Sequence, residues 1–385
     1  MLRLPSSLAE SLELGHPWVY RNHVPAGIEL RSGTVVQVQC GAFQGYALWD
    51  ETSPIALRIL SRGTQPDRAW LRERLLEALA LRASVLSHET TAARIVFGEG
   101  DGIPGLSVDL YDKFAVIITY ADALDRFVAD VAAILTEELA LEGVLLRNRE
   151  LQEGEGKVKL LSGRAAPERL IVREHGVKLW VELYAGQKTG MFLDHRENRA
   201  YVRGIAAGKR VLNLFSYTGA FSVNAALGGA TQVISVDIAS GALHAAAENF
   251  TLNEVPRDLH QEIAQDVFEY LNSQRAAPTF DLVICDPPSF ASSQKQKFAA
   301  LRAYQRLNAL GLSVVQPGGL YAAASCTAQV SPEDFRYVLS ESAARAGVRF
   351  QIIHEAGQPQ DHPIGIGHPE GRYLKFVVGR VLRHC

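Results

Sequence analysis

Residues 280–290 read Phe-Asp-Leu-Val-Ile-Cys-Asp-Pro-Pro-Ser-Phe, four consecutive apolar residues followed at once by an acid and two prolines. A short apolar run of this kind suits a strand buried on both faces, and the prolines end regular structure abruptly. Proline disfavours the α conformation in the residue before it, so Asp286 is held extended and cannot fold back as a helix cap. In open α/β sheets the carboxyl ends of the strands border the crevice where ligands bind. Asp286 is therefore either an acid facing a ligand or a solvated residue in a tight turn, and the surrounding chain decides between the two.

From residue 210 onward the pattern alternates strand and helix, the signature of a parallel sheet wrapped by helices. Strands are expected at 210–215, 232–238, 260–266, 280–286, 319–326, 349–355 and 373–382, with helices at 240–253, 296–315 and 332–346. The last two strands are joined by a loop, which predicts a reversed strand at the sheet edge. The fold class is α/β, a Rossmann-like seven-stranded sheet preceded by smaller modules.

The 385 residues suggest two or three domains at roughly 100–200 residues each. With 47% hydrophobic and 21% charged residues the composition is that of a globular protein with real cores. No signal peptide pattern is seen, and no apolar run approaches the ~18 residues that span a bilayer, so a cytoplasmic location without membrane contact is expected. Cys40, Cys285, Cys326 and Cys385 lie far apart without CxxC pairs, which argues against disulfides and a zinc site. A net charge of -3 gives no global signal for nucleic acid, so any such binding rests on local patches.

The first ~65 residues carry short apolar runs (34–38, 46–48, 55–59) separated by Gly, Pro and Asp, the spacing of a small β-barrel. Within it, Gly15-His16-Pro17-Trp18-Val19-Tyr20 suits either stacking on bases or plugging the barrel. Helical periodicity runs over 70–86. Residues 95–173 then read as an α+β unit with strands at 106–109, 114–119, 143–146 and 170–173 and a helix at 123–139. The Gly-rich, charged segment 150–164 reads as a loop or ragged hairpin.

Three acids, Asp237, Asp266 and Asp286, close three successive strands of the sheet. Singly each reads as a helix cap; together on one rim they point to a ligand. The first strand runs into Asn213-Leu-Phe-Ser-Tyr-Thr-Gly219, where the glycine allows close backbone approach. The absence of Gly-x-Gly-x-x-Gly argues against a nicotinamide cofactor. Cys326 ends the strand after Asp286; if the two strands are adjacent, thiol and carboxylate flank one pocket, as thiolate addition to a base requires. Cys285 and Cys40 read as structural. Upstream, Arg196, Arg199 and Arg203 at helical spacing read as a solvated basic face. Lys295, Lys297, Arg302 and Arg306 near a helix start oppose its dipole and are better explained by a polyanion.

Asp286-Pro-Pro-Ser-Phe290, Ser325-Cys326-Thr327, Gly186-Gln-Lys-Thr-Gly190, Gly15-His-Pro-Trp18, Asp101-Gly-Ile-Pro-Gly105 and Pro369-Glu-Gly-Arg-Tyr373 together resemble the RlmI-type large-subunit ribosomal RNA 5-methylcytosine methyltransferases, over essentially the whole chain. The resemblance implies a PUA-like RNA-binding domain over 1–68, a central α+β (EEHEE-like) domain with its linker helix over 69–175, and an S-adenosylmethionine-dependent methyltransferase domain over 176–385. It implies that Phe215, Tyr217, Gly219, Asp237 and Asp266 line the cofactor site, with Lys188, Thr189, Phe192 and Arg196 from the 186–196 loop. Cys326 is the implied nucleophile, with Asp286 holding the Watson–Crick edge of the base, and Pro287, Phe290, Lys295, Lys297 and Arg302 the implied substrate contacts. Large-subunit ribosomal RNA is the implied partner; a homodimer stays open. His195 stands where the family has Gln and Asn213 where it has Asp. The base that removes the carbon 5 proton stays open between Asp286, a water and Glu370. A nucleobase amino-methyltransferase and a non-enzymatic ribosome-assembly factor are the alternative readings.

Overall fold

A computed structural model describes residues 1–148, 157–186, 189–274, 279–291 and 293–383, which fall into two compact units. The first comprises Met1–Arg173, Val181–Leu193 and Gln360–Gly371. Its opening sheet has five strands, in the order Leu2–Arg3, Val35–Cys40, Phe43–Trp49, Ile55–Ser61 and Trp18–Tyr20. Val19, Val38, Phe43, Ala47, Trp49 and Leu57 form its core. The helix Arg68–Arg82 starts at Asp67, whose side chain accepts the Trp70 amide at 2.8 Å, a capping bond that fixes where the helix begins. A second five-stranded sheet follows, in the order Val158–Gly163, Gly143–Arg147, Phe114–Thr119, Leu106–Tyr111 and Ala92–Phe97. Leu48 and Leu60 of the first module share one core with Trp70, Leu75, Ile95 and Val131, so the border expected at 68 falls inside this unit.

One alternative for the first unit is decided and one expectation corrected. Of the loop or ragged hairpin expected over 150–164, the ragged hairpin is found: Val158–Gly163 is a strand paired antiparallel to Gly143–Arg147 with a register shift; residues 149–156 lie outside the described residues. His16 and Trp18 neither plug the barrel nor stand free for stacking. Trp18 packs edge-on against His368 with ring centroids 4.4 Å apart, and its indole N–H donates to Glu99 at 2.9 Å. His16 lies 3.6 Å from Glu370, which sits 3.7 Å from His368, so Glu370 is part of this same cluster of the first unit.

A two-stranded sheet, Leu170–Glu174 with Val177–Val181, carries the chain into the second unit. There the strands are β1 (Arg210–Leu214), β2 (Gln232–Asp237), β3 (His260–Ala264), β4 (Phe280–Cys285), β5 (Val315–Cys326), β6 (Val348–Ala356) and β7 (Leu374–Arg383). The helices between them are α1 (Ala220–Leu227), α2 (Ser240–Leu252), α3 (Val267–Ser273), α4 (Lys297–Ser313) and α5 (Pro332–Ala346). The sheet order is β3-β2-β1-β4-β5-β7-β6. The first five strands pair in parallel and β7 runs antiparallel to both neighbours. The reversed strand is therefore inside the sheet, and β6 is the edge. Composition explains the exchange: Phe376, Val377, Val378 and Val381 of β7 are buried, while β6 carries Arg349, Gln351 and Glu355 to solvent, as an edge strand must. At the start of α5, Ser331 and Asp334 form a reciprocal capping box with Pro332 in the first turn.

The arginines of the helix Arg196–Ile205 are another correction. Arg196 and Arg199 are buried and paired, not a solvated face. Arg199 makes a bidentate pair with Glu174 at 2.9 and 2.7 Å, both side chains buried, and Arg196 donates to Glu197 at 3.0 Å. Removing one partner of such a pair leaves a buried charge uncompensated. Glu174→Gln should destabilise the protein by about 3–5 kcal/mol, read as a lower urea midpoint; an unchanged midpoint would show that Arg199 finds compensation elsewhere.

Candidate active site

Because β1 to β5 are parallel, their carboxyl ends share one rim, and the chain leaves that rim five times. After β1 it passes through Phe215 and Tyr217, whose φ angles of 58° and 47° are in the left-handed region that non-glycine residues avoid. Strained backbone of this kind persists where surrounding contacts fix it. One such contact is visible: the Tyr217 amide donates to Asp237 Oδ2 at 2.8 Å, and the Ala239 amide donates to Asp237 Oδ1 at 2.9 Å. Asp237 thus ties the β1 and β2 turns together while each oxygen keeps lone pairs for a further donor. Ile238, next to it, is 75% exposed, an apolar surface left bare at a strand end beside a half-buried carboxylate.

Gly219 sits where the β1 turn enters a helix. It opens α1 with φ of 75°, and an added Cβ would come within 2.6 Å of Ala246 Cβ, so what approaches it closely is helix α2. Asp266 caps α3, its Oδ1 accepting the Glu269 amide at 3.0 Å. Asn213 donates to Ser222 Oγ at 2.8 Å.

On the other half of the rim β4 and β5 are adjacent, in register with Cys285 opposite Ala323. Asp286 emerges from β4 with its side chain 23% exposed. Its Oδ2 lies 3.3 Å from Nε2 of the buried His195. On the other side of the ring, Asn198 Nδ2 lies 3.0 Å from His195 Nδ1. Cys326 ends β5 half-buried, its sulfur 3.9 Å from the Pro287 carbonyl oxygen. A clasp holds the two chain exits together: Thr327 and Ser289 both donate to the Ala291 carbonyl at 2.9 Å. Beneath lies Tyr304, fully buried, its phenol pushed up first by burial and then by the nearby Cys326 and Asp286. Cys285, one residue before Asp286, is buried in the core, and burial pushes its thiol up to about 12.

The expected substrate and cofactor residues divide. Lys295 and Arg302 are exposed, whereas Lys297 pairs with Asp334 at 2.6 Å. Pro287 is buried, and Phe290 packs edge-on against Tyr304 at 4.8 Å, bound to the core more than to the surface. In the first unit, Thr189 is buried, its hydroxyl donating to Asp109 and 2.6 Å from Tyr111 Oη; Phe192 is half-buried. Arg196 is wholly buried. Lys188 and Cys385 lie outside the described residues. Ile238 and Lys375 stand in none of the motifs read from the sequence. Lys375 follows Leu374 on β7, and Leu374 is the register partner of Cys326. It is buried, its Nζ donating to the Thr327 carbonyl and, at 2.8 Å, to the Tyr373 carbonyl; burial pulls it down to about 8.

A seven-stranded sheet with its reversed strand between β5 and β6, acids at successive strand ends and no dinucleotide glycine motif defines an S-adenosylmethionine-dependent methyltransferase. Residues 138–366 match the family described as S-adenosylmethionine-dependent methyltransferase, and residues 2–62 match the PUA-like domain. The chain is 38% identical to the ribosomal RNA large subunit methyltransferase of Deinococcus radiodurans, covering 98% of this chain and 96% of that one. It is 33% identical to ribosomal RNA large subunit methyltransferase I of Shewanella amazonensis, over 99% of both. A methyltransferase crystallised with SAH superposes with a TM-score of 0.88 at 27% identity, over 99% of both chains. An S-adenosylmethionine-dependent methyltransferase from Streptococcus mutans gives 0.86 at 26%, over 99% of this chain and 100% of that one. The chain belongs to the family of ribosomal RNA large subunit methyltransferases, with a PUA-like domain at its start and S-adenosylmethionine as its cofactor.

Asp237→Ala removes the acceptor of two turn amides and of any ribose hydroxyl. Hydrogen bonds to a charged group contribute about 1.5–3 kcal/mol, so affinity for S-adenosylhomocysteine should fall at least tenfold by calorimetry. Unchanged affinity would take Asp237 out of the site.

Proposed function

We propose that this enzyme methylates carbon 5 of a cytosine in large-subunit ribosomal RNA, with Cys326 as nucleophile. The observation that carries the reading is the adjacency of β4 and β5, which sets a half-buried thiol and a partly exposed carboxylate at neighbouring strand ends. The sequence family of the relatives supports the RNA class. Phe215, Tyr217, Asp237 and Asp266 would hold S-adenosylmethionine, with Ile238 as an apolar surface for its base and Gly219 shaping the turn. The cofactor supplies an electrophilic methyl group.

Cytosine carbon 5 is too weak a nucleophile unaided. The Cys326 thiolate adds to carbon 6, forming an S–C6 bond and moving electron density to carbon 5, which then takes the methyl group. That transfer releases S-adenosylhomocysteine as the leaving group. The carbon 5 proton then passes to Asp286 or a water, and its electron pair re-forms the C5–C6 double bond as the S–C6 bond breaks, releasing 5-methylcytosine and the thiolate. Asp286 accepts a hydrogen bond from the exocyclic amine of a base turned out of its stack, with His195 Nε2 3.3 Å from its Oδ2. Cys285 is unsuited to the task, being enclosed in the core and protonated. The PUA-like module supplies RNA contacts, and Lys295 and Arg302 add exposed cations with no partner among the described residues. Among those residues no helix is long and apolar enough to cross a membrane; a cytoplasmic enzyme is the reading that suits a ribosomal RNA substrate.

With RNA carrying 5-fluorocytosine at the target, the native enzyme should form a stable adduct, because fluorine cannot leave as a proton does. Cys326→Ala should form none and lose turnover while keeping cofactor affinity. Turnover in that variant would instead favour methylation of an exocyclic amine. Each phosphate contact adds to the salt dependence of RNA affinity, so Lys295→Ala with Arg302→Ala should flatten the log–log salt slope by about 1–2. An unchanged slope would remove both from the RNA path.

A further inference from the structure

Phe298 is a large aromatic side chain left bare on a helix that already has an apolar face. It stands in the first turn of α4 and is 74% exposed, whereas Ala300, Tyr304 and Leu307 of the same helix are buried in the core. At about 100° per residue, Ala300 lies roughly 200° round the helix from Phe298, so the phenyl ring is turned away from the packing face. Phenylalanine is also a poorer helix former than the alanines beside it, so helix stability does not account for its presence. Its neighbours on the outer face are cations. Lys295, in the 3-10 turn Gln294–Gln296 that leads into α4, and Arg302, one turn on, fall on the same side as Phe298 and are both exposed. Arg306 continues the stripe a further turn along. Not one Asp or Glu lies between Asp286 and Glu333 to offset this charge from within the same stretch of chain. Of the acids on the neighbouring α5, Asp334 pairs with Lys297 and Glu341 accepts from Gln305 at 3.1 Å.

We propose that Phe298 is a stacking platform for an unpaired nucleobase of the substrate RNA, with Lys295 and Arg302 holding the phosphates on either side of that base. This rests on the reading of the substrate as RNA. The chemistry of the patch selects the occupant. Every nucleobase has an apolar π face that can cover a phenyl ring, and the strand that carries it brings a negative charge with each nucleotide. An apolar protein surface would cover the ring but leave the flanking cations without a countercharge. A duplex keeps its bases stacked on one another, out of reach of the ring. The place of Phe298 in the fold suits the same occupant. β4 and β5 are parallel, so the helix between them runs back and starts at the carboxyl end of β4, where Asp286 stands. The base on Phe298 is then one close in the strand to the target cytosine, and the ring replaces the stacking that base loses when the target turns out.

The test uses the full-length protein and two fluorescein-labelled probes, a single-stranded decamer of cytidylate and a decamer of the same ribose-phosphate backbone without bases. Anisotropy titrations give an affinity for each, and the native protein should bind the cytidylate strand more tightly. Phe298→Ala should weaken that binding at least about fivefold while leaving affinity for the abasic strand unchanged. Lys295→Ala with Arg302→Ala should weaken binding of both strands. Phe298→Trp should keep the native preference, whereas Phe298→Leu, apolar but without a π face, should behave like Phe298→Ala. A Phe298→Ala protein that binds the cytidylate strand as the native one does overturns the proposal, as does a Phe298→Leu protein indistinguishable from native. So does a native dimer in sedimentation that Phe298→Ala dissociates with strand affinity unchanged, the result expected if a second copy covers the ring. A native protein that binds the two strands equally overturns the platform and leaves the RNA reading in place; one that binds neither at low salt sinks both.

Discussion

The parallel pairing of β4 with β5 is the constraint on which the proposed chemistry depends. Neighbouring strands lie about 4.8 Å apart, so the register that sets Cys285 opposite Ala323 also fixes how far apart Asp286 and Cys326 leave the sheet. Past that register the strands no longer hold each other, and hydrogen bonds to the Ala291 carbonyl from Thr327 and Ser289 take over. On the far side β7 runs antiparallel to β5 and brings Lys375 to the Thr327 carbonyl. The thiol is thus framed by three strands whose pairing is set by buried apolar faces.

The half of the rim proposed for the cofactor obeys the same logic with different means. Its distinctive feature is backbone held in unfavourable conformations at Phe215 and Tyr217, and Asp237 is the residue that holds one of them by accepting the Tyr217 amide. A carboxylate with two amide donors and remaining lone pairs is an acceptor already oriented before a ligand arrives, so less ordering is left for binding. Gly219 and Asp266 serve the same end indirectly, one by letting α1 and α2 pack closely and the other by starting α3 at the rim.

Much of this was legible in the chain. The apolar runs of β1, β2 and β4 and the break at Asp-Pro-Pro are local signals, and local signals suffice to place strand ends on a common rim. What was not legible depends on partners distant in sequence. Arg199 has helical spacing with Arg196 and Arg203 and looks solvated until Glu174, 25 residues earlier, is found across from it. Trp18 and His16 look like a barrel plug until His368 and Glu370 arrive. The inward place of β7 was foreshadowed by its more apolar composition than β6, a comparison of two strands that a search for a terminal reversal overlooks. Lys375 gave no signal, because a lone lysine in an apolar strand becomes unusual only once its burial against the Thr327 and Tyr373 carbonyls is known.

The central claim, carbon 5 methylation of a cytosine, is tested most directly by the modified nucleosides of the large subunit. Mass spectrometry of nuclease-digested large-subunit ribosomal RNA from a strain lacking this chain should show one 5-methylcytosine fewer than the parent, restored by the native gene and not by one encoding Cys326→Ala. Loss of a methylated adenine or guanine instead, with 5-methylcytosine unchanged, would contradict the account.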